Sequence, residues 1–296
     1  MVVRSFDDLL SLESGDAREF IPSELLTPPE SWWLCRVRRA NKTHFVMELE
    51  RNANGSHAKA MFVLSALRVG DDFYISRYEG FPTTCAEGRA PAGGFCAVVR
   101  GTGADAGSKS KAGERRMFEL VPAALGLPVT LSPQPLATVS HSWFKQPNCG
   151  AEIRTVDGSI LGGGGQSLFV WDHCPARRSW PLSQKEDADT AAGGTPSTKV
   201  EQRTGVSSQI PRWDPGHGCL VMKFQRQRVK ESSSKNFILF RANEAGRGSA
   251  NGNVDPSAAV MQFGKAAEDD YALDLRAPIA PLHAFALALS SFAFRV

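Results

Sequence analysis

A chain of 296 residues with 42% hydrophobic content is long enough to bury a large core, either as one big all-β domain or as two ordinary domains. Its 34 Lys and Arg against 31 Asp and Glu leave a formal net charge of +3, too small for a general attraction to nucleic acid or anionic lipid, so a basic site must be local. The six cysteines (Cys35, Cys85, Cys96, Cys149, Cys174, Cys219) include no C-x-x-C pair, which argues against a zinc ribbon or a disulfide framework and for reduced structural thiols.

Residues 1–20 mix Asp7, Asp8, Glu13, Asp16 and Glu19 into their apolar positions, lack the order of a secretory signal, and read as a cytosolic start. Ser31 to Arg39 and Thr43 to Glu50 then read as two strands around the polar turn Ala40-Asn41-Lys42. Ala60 to Leu67 and Asp72 to Arg77 form a second pair through Gly70, and Phe95 to Arg100 a further strand. Residues 101–113 are rich in Gly, Ala, Ser and Lys and read as a loop. Ser167 to Trp171 and Gly218 to Phe224 read as strands, whereas 183–209 is polar and reads as a disordered excursion. Asn236 to Arg241, Ala259 to Gly264 and Asp270 to Leu275 are again β-like, with a loose loop at 246–257. Many short strands and long polar loops point to an all-β sandwich or barrel.

The tail is different. Ile279 to Phe294 carries no charged residue, and from Pro281 onward its Ala and Leu favour a helix, with proline tolerated at a first helical position. A helix apolar on every side must be buried on every side. The run is shorter than the roughly 20 apolar residues of a membrane span and holds His283, Ser290 and Ser291, so burial inside the protein is the expectation. His283 reads as a hydrogen-bonded core histidine, because one histidine without a partner builds no metal site. The core of the helix is expected at Leu282, Phe285, Leu287, Leu289 and Phe292.

Val260-Met261-Gln262-Phe263-Gly264-Lys265 followed by the run Ala284 to Phe292 closely resembles the C-terminal signature of the tubby family. Pro211-Arg212-Trp213, Arg228-Val229 and Ser234-Lys235-Asn236-Phe237 resemble its other signature. More weakly, Trp33 to Arg39, Phe62 to Ala66, Phe73 to Ser76, Gly88-Arg89 with Gly94, and Arg115-Arg116-Met117 resemble its N-terminal strands. The resemblance implies a mainly β fold, a closed antiparallel barrel of about twelve strands around a central C-terminal helix. It implies a 1–30 extension and a barrel domain over 31–296 with insertions near 101–113, 183–209 and 246–257.

It also implies a cytoplasmic, non-enzymatic adaptor, peripheral at the plasma membrane, that binds phosphatidylinositol 4,5-bisphosphate or a related phosphoinositide. Protein partners or membrane cargo, ciliary in some animal members, and a nuclear role in others belong to the same implication. Such a headgroup needs two or three rigidly held cations. Where the family carries a Lys/Arg cluster this chain reads Leu67-Arg68-Val69-Gly70-Asp71-Asp72, shorter and with a single cation. Arg68 and Arg89 fall on matching positions, with Arg77, Arg36 and Arg38 as candidate neighbours. The alternatives are a tubby-fold protein scaffold that has lost the lipid and a nuclear regulator. The modest charge and the lack of an aromatic and basic platform count against nucleic acid.

Enzymatic motifs are absent or broken. In Gly101 to Ser110 the spacing of Gly and Lys fails the phosphate-loop pattern, and Gly162 to Gly165 lacks a βαβ setting. His173 beside Cys174 and His217 near Cys219 could be read as base and nucleophile, but His173 and Cys174 would point to opposite faces of a strand, and no G-x-S-x-G elbow or H-E-x-x-H pair appears. No cofactor and no metal site are expected.

Overall fold

The computed structural model describes residues 32–50, 60–76, 78–79, 81, 95–102, 115–122, 135–145, 150–161, 203–242, 255–276 and 278–293. The chain runs through β1 (Trp33–Arg39), β2 (His44–Leu49), β3 (Met61–Val69), β4 (Asp72–Ser76), β5 (Ala97–Thr102), β6 (Arg115–Pro122), β7 (Ala137–Lys145) and β8 (Glu152–Leu161). It continues through β9 (Arg203–Ser208), β10 (Arg212–Asp214), β11 (Cys219–Val221), β12 (Phe237–Arg241), β13 (Met261–Ala267), β14 (Asp270–Leu275) and α1 (Pro281–Ala293). β10 and β11 form a hairpin of their own; the other twelve strands close into one antiparallel barrel. Each wall strand pairs with the next, β9 passing to β12, and β14 returns to β1 with Trp33 opposite Leu275 and Arg38 opposite Asp270. Closure leaves the wall without an unpaired edge.

Successive side chains alternate between lumen and exterior. Cys35 and Val37 of β1, Leu64 and Ala66 of β3, and Phe237 and Leu239 of β12 join the main core inside the barrel. Ile238 and Phe240 point the other way, into a separate outer cluster with Ala259, against which Trp32, Met222 and Phe224 pack.

The helix fills the lumen, and all thirteen of its residues are buried. Taking about 1.5–3 kcal/mol per large apolar side chain removed from water, Leu282, Phe285, Leu287, Leu289 and Phe292 together contribute on the order of ten kcal/mol. The polar residues are accommodated locally: Ser290 Oγ donates to Leu287 O at 2.8 Å and lies 2.8 Å from His141 Nε2, while Ser291 Oγ donates to Ala288 O at 2.7 Å. Gly158 on β8 is tight within the wall itself, since a Cβ there would lie 3.1 Å from a Val206 methyl and 3.2 Å from Thr138 O, with Leu287 of the helix at an ordinary 3.6 Å. Among the described residues, no helix is long and apolar enough to cross a membrane.

The expected strands appear with shifted ends, and β6, β7 and β8 join them. The stretch expected as a polar excursion contributes β9, because Arg203–Ser208 is held by pairing to β8 and β12 while only Val206 supplies an apolar core contact. Its order comes from its neighbours, which local composition does not record. The strand expected at Gly218 to Phe224 is confined to Cys219–Val221, and Met222 and Phe224 leave it to cover the outer cluster. The expected loops shrink likewise, β5 running through Thr102 and a 3-10 turn forming at Pro256–Ala258. The expected strand at 167–171, the 1–30 extension and the rest of those insertions lie outside the described residues.

Candidate functional site

Several turns and strand ends meet where α1 stops, and they bring cations together. On β1 the inward alternation that places Cys35 and Val37 in the core carries on to Arg39, at the mouth of the barrel. On β3 the same alternation through Leu64 and Ala66 reaches Arg68. Lys235 stands two residues before the inward Phe237, and Lys42 sits in the β1–β2 turn. That turn is shaped by Asn41, whose Oδ1 accepts from Thr43 N at 2.9 Å and His44 N at 2.8 Å. Arg39, Lys42, Phe45, Arg68, Lys235 and Phe292 line a cavity of about 360 Å³. The Phe292 ring is fixed by Phe45 at 4.8 Å and Tyr271 at 4.9 Å, centroid to centroid, so the floor is rigid and aromatic.

The cations are not equivalent. Arg39 donates to Asp269 Oδ1 at 2.7 Å. Arg68 donates to Asp71 Oδ1 at 3.1 Å, to Gly70 O at 2.8 Å and to Phe292 O at 3.3 Å, with its guanidinium 5.5 Å from the Phe73 ring centroid. The bond to Phe292 O satisfies a carbonyl in the last turn of the helix, whose end carries partial negative charge. Neither Lys42 nor Lys235 has a carboxylate partner among the described residues; the Lys235 ammonium lies 5.9 Å from the Phe292 ring centroid. Burial, then the charges of Arg154, Arg39 and Arg68, hold Lys235 below the ordinary lysine range. Arg154 lies deeper, 5.8 Å from the Phe237 centroid, and burial pulls it down to about 9. A half-buried lysine crowded by three arginines favours an arriving anion.

A family model described as Tub family matches residues 168–294. The chain is 33% identical over 112 residues to tubby-related protein 1 of Homo sapiens, covering 38% of this chain and 18% of that protein. It is 37% identical over 106 residues to tubby-like F-box protein 3 of Oryza sativa subsp. japonica, covering 34% and 23%. With tubby protein homolog 1 of Caenorhabditis briggsae it shares 32% over 120 residues, covering 40% and 23%. Over the matched residues 168–294 the chain is tubby-like. Its match spans less than a quarter of the length of each of these tubby-like relatives.

Of the singled-out arginines that the structure describes, Arg68 lines the pocket and Arg36 and Arg38 do not. Arg36 and Arg38 stand on the outer face of β1, out of phase with Cys35 and Val37; Arg36 is engaged by Asp270, and Arg38 reaches Glu48 at 3.3 Å. The Asp270 contact holds the Arg36 pKa above its ordinary value. Arg77 and Arg89 lie outside the described residues. Sequence reasoning missed Arg39, Lys42 and Lys235. The alternation that assigned Val37 to the core would have found Arg39 two positions later, whereas the approach of Lys235 to Arg68 is set by barrel closure and leaves no local trace.

The residues weighed for enzymatic or metal chemistry are dispersed. His173 and Cys174 lie outside the described residues, and His217 Nδ1 meets Asp214 Oδ2 at 2.8 Å on the exposed β10–β11 hairpin. His283 is buried as expected, but its Nδ1 has no hydrogen-bond partner among the described residues, where a hydrogen-bonded histidine was expected. Among the described residues no group of three or more His, Cys, Asp or Glu is placed to hold a metal.

Proposed function

We propose that this tubby-like chain is a non-catalytic, membrane-associated adaptor that takes a phosphoinositide headgroup into the cationic pocket at the end of α1. The observation that carries the reading is the pair Lys42 and Lys235, two ammonium groups without carboxylate partners among the described residues, beside Arg39 and Arg68 over an aromatic floor. A cavity of about 360 Å³ lies in the range of small-ligand sites. Protein partners or membrane cargo would bind other surfaces, at the cytoplasmic face of the plasma membrane.

Co-sedimentation with phosphoinositide-containing and phosphoinositide-free liposomes of equal surface charge tests it. A basic residue at an anionic surface contributes about 1 kcal/mol, so Lys42→Gln/Lys235→Gln is expected to lose about thirtyfold in affinity. Folded wild-type protein that ignores the phosphoinositide would leave the scaffold alternative, which the neutralisation of Arg39 by Asp269 and of Arg68 by Asp71 favours.

A further inference from the structure

We propose that residues 1–31, an acidic and apolar segment, dock back onto the outer face of the β10–β11 hairpin, a basic and apolar surface of the same chain. This contact is separate from the cationic mouth and independent of any lipid bound there.

The hairpin has two unlike faces. Arg212 stands opposite Val221 and Asp214 opposite Cys219 on one of them, with Trp213 opposite Leu220 on the other. Trp213 and Leu220 are half-buried, whereas Arg212, Cys219 and Val221 are exposed, and Ile210, just before the hairpin, is 56% exposed. Exposed apolar surface is concentrated here: beside Met117, Ile210 and Val221 are the large hydrophobic side chains left in solvent among the described residues. The surroundings are basic, since residues 210–230 hold Arg212, Lys223, Arg226, Arg228 and Lys230 against Asp214 alone, itself engaged by His217. Asp274 and Glu50 take up Arg228, but Lys223, Arg226 and Lys230 are exposed.

Charge and the point of attachment identify the occupant. Residues 1–31 carry seven acidic side chains against Arg4 and Arg18. Within them Glu19-Phe20-Ile21-Pro22-Ser23-Glu24-Leu25-Leu26 sets apolar groups beside carboxylates, the complement of Ile210 and Val221 beside Arg212 and Lys223. The segment joins the barrel at Trp32, whose ring centroid lies 4.8 Å from the Arg226 guanidinium and 5.0 Å from that of Arg276. Trp32 packs on the outer cluster that Met222, the chain neighbour of Val221, also covers. From Trp32 back to Leu26 the chain can reach about 20 Å, ample for a hairpin of three-residue strands. Tethering gives a millimolar effective concentration, so an intrinsic Kd of about 0.1 mM keeps the face roughly nine-tenths covered.

Cys219, on the same face as Val221, reports the contact. The full chain is pulsed with iodoacetamide, a neutral reagent, and alkylation of Cys219 is read by peptide mass spectrometry. Cys219 is expected to react about fivefold more slowly in the wild type than in Glu19→Lys/Glu24→Lys, a change that leaves the hairpin itself untouched. Raising KCl to about 0.5 M should remove most of the wild-type protection. Ile210→Ser/Val221→Ser should also speed the reaction, and a synthetic peptide of residues 1–31 added to the charge-reversed chain should restore protection. Equal rates in the wild type and the charge-reversed chain would overturn the proposal. Protection that grows with protein concentration would assign the face to a second copy, and protection seen only with anionic phosphatidylserine vesicles would assign it to a membrane; either result overturns docking within one chain.

Discussion

At the scale of single residues, the polar groups inside the barrel set how the fold responds to acid. His283 is buried in α1, and burial first, then the charge of Arg203, push its pKa down to about 4. His141 is shifted in the same direction, by burial and then Arg154. Both folded-state values lie below the ordinary histidine value of about 6.5 in the unfolded chain. Stability is therefore complete above about pH 6.5 and falls as the pH drops through the window toward 4, where the unfolded chain takes up protons the folded one refuses. The drop from about 6.5 to about 4 makes the His283 contribution roughly 3 kcal/mol. His283→Leu should flatten much of the acid limb in urea titrations between pH 7 and 4.5; an identical limb in the variant would show that the His283 ring is not the group being forced to charge.

At the scale of elements, a segment crossing the outside of the wall is seated on a glycine. Arg226 and Gln227 take left-handed backbone angles, φ 61° and 52°, which turn the chain so that Arg228 reaches Asp274, Glu50 and Cys35 O, the last at 2.9 Å. Val229 then sits over Gly264 of β13, where a Cβ would lie 2.6 Å from a Val229 methyl. Gly264→Ala should force the segment outward and cost about 1–3 kcal/mol, read as a lowered denaturant midpoint at an unchanged slope. The resemblance to a family signature included both Arg228-Val229 and Gly264, but their contact was not legible, because a methyl seated on a missing Cβ is a relation between two elements. The helix was legible for the opposite reason: Pro281 to Phe292 states its burial in its own composition. β9 was illegible because its order comes from the strands on either side.

At the scale of the whole molecule, barrel closure gathers charges from β1, β3 and the approach to β12 at a single mouth. Sequence reading recovered the architecture and one lining residue, Arg68, since hydrophobic alternation and family signatures are written along the chain. It missed Lys235 and Lys42, whose common property, an ammonium without a carboxylate partner among the described residues, exists only once the ring is closed. The same geometry explains why Arg36 and Arg38, the most cationic-looking pair of the first strand, do not reach the pocket: they are one residue out of phase with it. Any anion bound at this mouth should lose affinity steeply as salt is raised, because Lys42 is exposed and the contact is mostly Coulombic.

The seam between β1 and β14 sets the timing of folding. Trp33 pairs with Leu275, and the lumen between them is filled by a helix beginning at Pro281. On a ribosome the wall strands emerge one after another with no interior to fold around, and the piece that supplies the interior is the last of the described elements to be made. Nascent chains stalled before Pro281 should stay protease-sensitive, while chains released past Ala293 gain protection abruptly. Protection acquired gradually, strand by strand, would mean that the wall can form around an empty lumen. As the fold stands, translation runs to completion of the helix before there is a mouth for any ligand to find.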